Sequence, residues 1–320
     1  DAQLKPTVNA NFKSFRQVLP LLVAIVVLLG LFRISAPQFL SVENLLDLAQ
    51  QISVNAILAF GMTLVILIGG IDLSVGAVVA LIGTVTVAVL VRGGLAPGLL
   101  AGFGMAAVFG SINGVCAART RMPPFIITLA TMLVARGVAL RFNEGRPLAV
   151  PDSEKLFLAL GNARLFGFLP APVLLMIAAF GVTSVLLHRT RFGQHLYAIG
   201  GNREAARFTG IPLARNEVVV YVICSLLAGL AGIIHASQLY SAEPASGQGF
   251  ELNAIAAVVV GGTSFTGGIG TMRGTLIGAI IIGILDKGLN QAGVHFSLQY
   301  IVKGLVVLAA VYLDVRRRRQ

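Results

Sequence analysis

Asp72 and Ser74 stand in the most informative stretch of the chain, Gly61-Met-Thr-Leu-Val-Ile-Leu-Ile-Gly-Gly-Ile-Asp-Leu-Ser-Val-Gly76. Two long apolar runs meet there with only Gly69-Gly70-Ile71-Asp72 between them, and a glycine pair can turn the chain. Two kinds of chemistry suit these residues. The side-chain oxygens of Asp72 and Ser74 can accept hydrogen bonds from the open N–H groups at the start of the next helix. Alternatively, Asp72 borders a hydrophilic pathway, because an ionisable group beside hydrocarbon is otherwise costly. Both readings stay open, since a cap can also shape a gate.

A second segment, Glu251-Leu-Asn-Ala-Ile-Ala-Ala-Val-Val259, aligns without gaps on Asp72–Ala80. Acid falls on acid, Asn253 on Ser74, and Leu252, Ala256 and Val258 on Leu73, Ala77 and Val79. Opposed copies of one helix are what an inverted-topology repeat leaves in a transporter. Asn55, Thr63, Asn113 and Thr128 are uncharged hydrogen-bonding candidates for a path, although buried bonds between helices account for such residues equally well. The glycines from Gly261 to Gly270 predict an irregular turn before Arg273 rather than a phosphate cradle.

Catalytic chemistry finds no foothold. A phosphate-binding loop needs Gly-Lys-Ser/Thr, and none of the five lysines (5, 13, 155, 287, 303) follows a glycine. The four histidines are scattered, no His-Glu-x-x-His occurs, and Cys116 and Cys224 lie in separate apolar segments as small core residues. The chain therefore reads as no enzyme, with no metal and no cofactor of its own.

These residues must be held by lipid-embedded helices. Of 320 residues, 56% are hydrophobic and 12% charged, about half the charge of a soluble domain. Apolar runs lie at 48–71, 73–91, 93–118, 165–187, 218–242 and 252–272, with shorter or interrupted ones at 17–32, 122–140, 274–285 and 296–313. At roughly 20 residues per crossing, the chain reads as an all-α polytopic membrane protein with about ten transmembrane helices. Residues 1–16 form an N-terminal arm, 17–315 a single transmembrane domain, and 316–320 a basic tail. With an inside N-terminus, fifteen Lys/Arg fall in inner loops and six (Arg33, Arg92, Arg141, Arg146, Lys155 and Arg164) in outer ones, which places both termini in the cytoplasm. The +11 net charge thus belongs to helix ends, not to a nucleic-acid surface. Gly102, Ala106, Gly110 and Gly114 recur every fourth residue, as do the pairs Ala228/Gly232 and Gly274/Gly278, a spacing that lets neighbouring helices approach closely.

The longest inner connection, 188–216, is rich in arginine. Asn202 can cap a short helix over 203–209, which Gly210 and Pro212 would stop. Such a helix is marginal alone in water, so it leans on a surface, either anionic lipid or a cytoplasmic partner. Ala205, Ala206 and Phe208 offer apolar contacts, and Arg203, Glu204 and Arg207 a polar rim.

Together, the segments 61–76, 198–207 (Ala-Ile-Gly-Gly-Asn-Arg-Glu-Ala-Ala-Arg) and 251–264 resemble the permease subunits of bacterial sugar ATP-binding-cassette importers, over roughly residues 38–315. The similarity is to the group serving ribose, xylose, arabinose, galactosides and inositol. It implies a multi-pass inner-membrane homodimer with a pathway at the dimer interface, fed by an external sugar-binding protein. Two cytoplasmic ATPase subunits, which hold the ATP and Mg, would drive it. By the same resemblance, 200–210 is the coupling element: Gly200, Gly201, Asn202, Arg203, Glu204, Ala205 and Arg207 would seat on the ATPase, and valine at Gly200 or Gly201 would uncouple an otherwise inserted protein. Asp72, Ser74, Asn55, Thr63, Asn113, Thr128, Glu251 and Asn253 are the candidates for path or gate. The rival is an ion-coupled secondary transporter or channel, in which Asp72, Glu251 or Asp286 titrates.

Overall fold

The computed structural model describes residues 8–318, with side chains described from Leu19 onward and interrupted near the C-terminus. The outer parts of the N-terminal arm (1–7) and of the basic tail (319–320) lie outside the described residues. Among the described residues the secondary structure is helical apart from four two-residue strands. In order, the helices are α1 (Val8–Ser35), α2 (Val42–Leu67), α3 (Val75–Gly93), α4 (Leu95–Arg119), α5 (Pro124–Arg141), α6 (Lys155–Asn162), α7 (Ala171–Arg189), α8 (Arg191–Gly201), α9 (Arg203–Phe208), α10 (Leu213–Gln238), α11 (Phe250–Val260), α12 (Met272–Gln291) and α13 (Phe296–Arg318). The strands β1 (Leu148–Ala149) and β4 (Ser241–Ala242) pair antiparallel, as do β2 (Arg164–Leu165) and β3 (Leu169–Pro170).

Six helices (α2, α3, α4, α5, α7 and α10) are long and apolar enough to cross a membrane. They differ in where their apolar surface goes. The apolar window of α2 is 89% buried, whereas those of α5 and α7 are 22% buried and leave residues such as Leu133, Val134 and Val182 exposed. α2, α3 and α10 form the centre, and α4, α5 and α7 present an apolar exterior suited to lipid.

The run 252–272, expected as one span, is corrected. α11 stops after eleven residues, about 16 Å of helix, and the chain turns at Gly261 and Gly262. Hydropathy cannot separate a span from a half-helix followed by an apolar turn, but glycine decides it here: Gly262 has φ +86°, a conformation that disfavours any side chain. The connection 188–216 is likewise more ordered than expected. It holds α8, capped by the Thr190 hydroxyl, as well as the short α9.

The small-residue stripes are packing seams. On α4, side chains at Gly102, Gly110 and Gly114 would run into Thr86, Val222 and Val218, so the glycines set the distance to α3 and α10. Gly278 of α12 abuts the Ala257 carbonyl of α11, and Gly232 of α10 abuts that of Val79 on α3. Cys224 is buried against Gly61, whereas Cys116 is half-exposed on α4; both are free thiols. Gly232→Ala should therefore push α10 off α3 and lower stability by about 1–3 kcal/mol, read as a fall in the thermal-unfolding midpoint in detergent. Gly104→Ala, where a Cβ meets open space, should leave that midpoint unchanged.

Candidate functional site

The break between α2 and α3 is held by hydrogen bonds within its own turn and from two neighbouring helices. Gly70 N–H donates to the Val65 carbonyl and Gly69 N–H to that of Ile66, a Schellman-type ending with Gly69 at φ +78°. Thr128 on α5 then serves the extended part, accepting from Leu73 N–H at 3.1 Å and donating to the Ile71 carbonyl at 3.1 Å. Asp72 Oδ1 accepts from Ser74 N–H at 2.9 Å and from the Ser74 hydroxyl at 2.5 Å. Asn113 Nδ2 donates to Ser74 Oγ, and Asn113 Oδ1 accepts from Thr131. Asp72, Ser74, Asn113 and Thr128 are thus one buried network joining α3, α4 and α5. Thr63 sits elsewhere, 2.7 Å from the Thr275 hydroxyl between α2 and α12.

The two sequence-matched segments meet end to end. A side chain at Gly76, in the first turn of α3, would strike Gly247 and the Glu251 carboxylate at the start of α11. Glu251 Oε1 also accepts from Gly249 N–H. The loop before α11 is held from outside by Arg136 of α5, whose guanidinium donates to the carbonyls of Pro244 at 2.8 Å and Ser246 at 2.6 Å.

Below that loop lies a cavity of about 730 Å³ between α2, α10, α11, α12 and α13. Asn55 and Asn253 line it; Asp72, Ser74, Thr63, Asn113, Thr128 and Glu251 do not. Its polar surface comes chiefly from carboxamides. Gln50, Gln51 and Asn55 are on α2 and Gln238 ends α10; Gln248 and Asn253 flank the start of α11; Asn290 and Gln299 lie near the α12–α13 turn. The charged groups at the cavity are paired. Asp286 meets Lys303 at 2.9 Å and Asn253 at 3.3 Å, and Asp47 at the rim lies 3.6 Å from Arg164 and 3.9 Å from Lys287. The His235 ring meets Phe250 edge-on, with centroids 5.4 Å apart. Six of these amides escaped sequence reading. Part of the signal was present, because Gln238, Gln248, Asn290 and Gln299 stand near helix ends, and helices of alternating direction bring those ends to one side.

At the other end of α2, some 18 Å beyond Asn55, the chain meets α8. A Cβ on Gly200 would collide with the Leu67 carbonyl and with Gly268, whereas one on Gly201 meets nothing. Gly268 N–H donates to the same Leu67 carbonyl at 2.9 Å. The Tyr197 hydroxyl donates to the Gly270 carbonyl at 2.7 Å, and burial pushes this phenol above its ordinary pKa, so it keeps its proton. Asn202 caps α9 by accepting from Ala205 N–H, and Gly210, at φ +80°, follows the helix. Arg203 pairs with buried Glu217 of α10 yet stays exposed itself, as do Asn202, Glu204, Ala205, Arg207 and Phe208. Among the described residues no group of three His, Cys, Asp or Glu is placed to hold a metal ion.

A family model described as branched-chain amino acid transport system / permease component matches residues 44–311. The chain belongs to this permease family. It is a transport component, not an enzyme. The permease is 44% identical to the ribose import permease protein of Escherichia coli strain K12, over 93% of each chain. The Bacillus subtilis ribose import permease protein is 44% identical, over 96% of this chain and 95% of that one. The Escherichia coli L-arabinose transport system permease protein is 37% identical, over 92% and 89%. No solved structure matches.

The geometry separates the two adjacent glycines. Gly200→Val should lower stability by about 1–3 kcal/mol, seen as a lower unfolding midpoint. Gly201→Val should leave that midpoint in place. Arg136→Met should free the 244–249 loop and raise amide hydrogen exchange at 246–250 by about tenfold or more, the factor that one lost hydrogen bond to a charged group supplies.

Proposed function

We propose that this permease is the membrane subunit of an ATP-binding-cassette importer that carries a monosaccharide, ribose or a related pentose or hexose, across the bacterial inner membrane. The observation that carries the reading is 44% identity, along almost the full length of both chains, to two ribose import permeases. The description of the family names branched-chain amino acids instead. The cavity favours the sugar. A zwitterion asks for unpaired charges of both signs, whereas the carboxylates at this cavity are paired with the chain's own lysines and arginine, and the remaining polar side chains are amides with His235 and Tyr300. An amide carries both a donor and an acceptor, which suits hydroxyls.

In this reading the permease dimerises and takes sugar from an external binding protein. The chain crosses about ten times as one domain over 17–315, with an inverted repeat and both termini in the cytoplasm. Support comes from the arginine-rich 188–216 segment and from the head-to-head meeting of α3 and α11. The exposed face of α9 (Glu204, Ala205, Arg207 and Phe208) with Gly201 and Asn202 would seat on an ATPase subunit, which supplies ATP and Mg. Movement there would pass through Gly200 to the end of α2, and along α2 to Asn55. Asp72 and its network would hold the break between α2 and α3 rather than touch sugar, and Thr63 would lock α2 to α12. The ion-coupled alternative has less support, because Asp286 is engaged by Lys303 and Asp72 by Ser74 through Oδ1, although Asp72 Oδ2 is buried without a partner.

The test is reconstitution in liposomes. Labelled ribose should accumulate when the permease is combined with its ATPase, its binding protein and internal ATP, and not with the permease alone under a proton or sodium gradient. Gradient-driven accumulation by the lone chain would overturn the reading.

A further inference from the structure

We propose that the cavity between α2, α10, α11, α12 and α13 is a monosaccharide site complete within one chain, in which Asn55 and Gln238 bind adjacent hydroxyls. This rests on the importer reading and goes beyond it, since the resemblance implies a path at the dimer interface and assigns no sugar-binding residue.

Four observations converge. The volume, about 730 Å³, lies within the range of small-molecule sites and exceeds what one pentose fills, so the sugar enters with part of its water. Three polar atoms on the lining are buried without a hydrogen-bond partner, and while Asp286 Oδ1 is held by its ion pair with Lys303, two have no ion pair either: Asn55 Oδ1, on a side chain 9% exposed, and Gln238 Nε2. Buried polar groups are nearly always satisfied, and an unsatisfied one in a cavity calls for a ligand. One of these atoms is an acceptor and the other a donor, which is what neighbouring hydroxyls need, one giving its proton and the next receiving. Of the other amides, Gln50 donates to the Gly161 carbonyl at 2.8 Å, Asn253 to Asp286 and Gln299 to the Val294 carbonyl, while Gln51, Gln248 and Asn290 stand exposed. That leaves Asn55 and Gln238 as the free pair on the buried wall.

The third observation is apolar. Phe250 lines the same cavity with its ring steadied by His235, and an aromatic face packs against the C–H face of a sugar ring. The fourth is electrostatic: Asp286 is neutralised by Lys303 and Asp47 by Arg164 and Lys287, so the site selects a neutral solute. Binding through two hydrogen bonds and one aromatic face is weak, as a conduit requires if its cargo is to leave.

The sequence itself supplies a means of testing this. The chain has no tryptophan, so Leu252→Trp places a single fluorophore on the lining without replacing a proposed contact. With the full chain in lipid nanodiscs, ribose should shift the emission saturably and leucine should not. Asn55→Leu and Gln238→Glu, the latter keeping size while removing the donor, should each raise half-saturation about tenfold, the factor of one net hydrogen bond. Thr183→Val, in α7 and bonded within its own helix, should leave it unchanged. The same variants in the complete transporter should raise the ribose concentration for half-maximal release into liposomes. If the complete transporter moves ribose normally while the emission is unchanged by ribose, or while Asn55→Leu and Gln238→Glu behave as wild type in both assays, the site is overturned and the importer reading stands. If the complete transporter moves no monosaccharide, both fall.

Discussion

Hydrocarbon offers no hydrogen bonds, so every backbone N–H and C=O inside the bundle must find its partner within the protein. The stretch 68–74 is where that constraint is hardest to meet. α2 has ended, α3 has not begun, and the chain is extended among buried helices. Glycine closes the first turn, Thr128 reaches across from α5 to serve Leu73 and Ile71, and Asp72 folds back on Ser74. The chain can thus pass from α2 to α3 at the centre, where α10 packs against both. The acid that first suggested a gate is thus employed in completing the backbone.

Close backbone approach is the second device. Lipid is as apolar as leucine, so helices gain nothing from burying methyl groups against one another and must pack by shape. Glycines at 61, 110, 114, 232 and 278 bring α10, α4, α3, α2, α11 and α12 within reach of one another's carbonyls. Cavities then form only where long side chains hold helices apart. The amide-lined space beside α13 is such a place, and Arg136, gripping two carbonyls of the loop above, limits how far that loop lifts. One helix serves both ends of the molecule: α2 contributes Asn55 to the cavity and its Leu67 carbonyl to the junction with Gly200 and Gly268.

Much of the helical plan was legible in the residues. Hydropathy marked the helices, the four-residue small-residue spacing marked the seams, and Asn202 with Gly210 bounded α9. Position within the bundle was less so. Asn55 and Asn253 were picked for their type and do line the cavity, but Asn113, Thr128 and Thr63 are the same kind of residue and bind other helices instead. A lone amide in an apolar run carries no record of which way its helix is rotated. Gly200 and Gly201 are identical in type and adjacent, yet one is jammed against a carbonyl and its neighbour faces open space.

By itself the sequence determined that this is a helical membrane permease with an arginine-flanked helix on one side, because oily length, charge placement and capping are local properties of the chain. Tertiary structure alone decided that Asp72 closes a network and that amides from five separate segments share one cavity, whereas the turn within 252–272 was already marked by its glycines. Those outcomes depend on which helix faces meet, and a meeting of faces is set by packing among residues as far apart in sequence as Thr63 and Thr275.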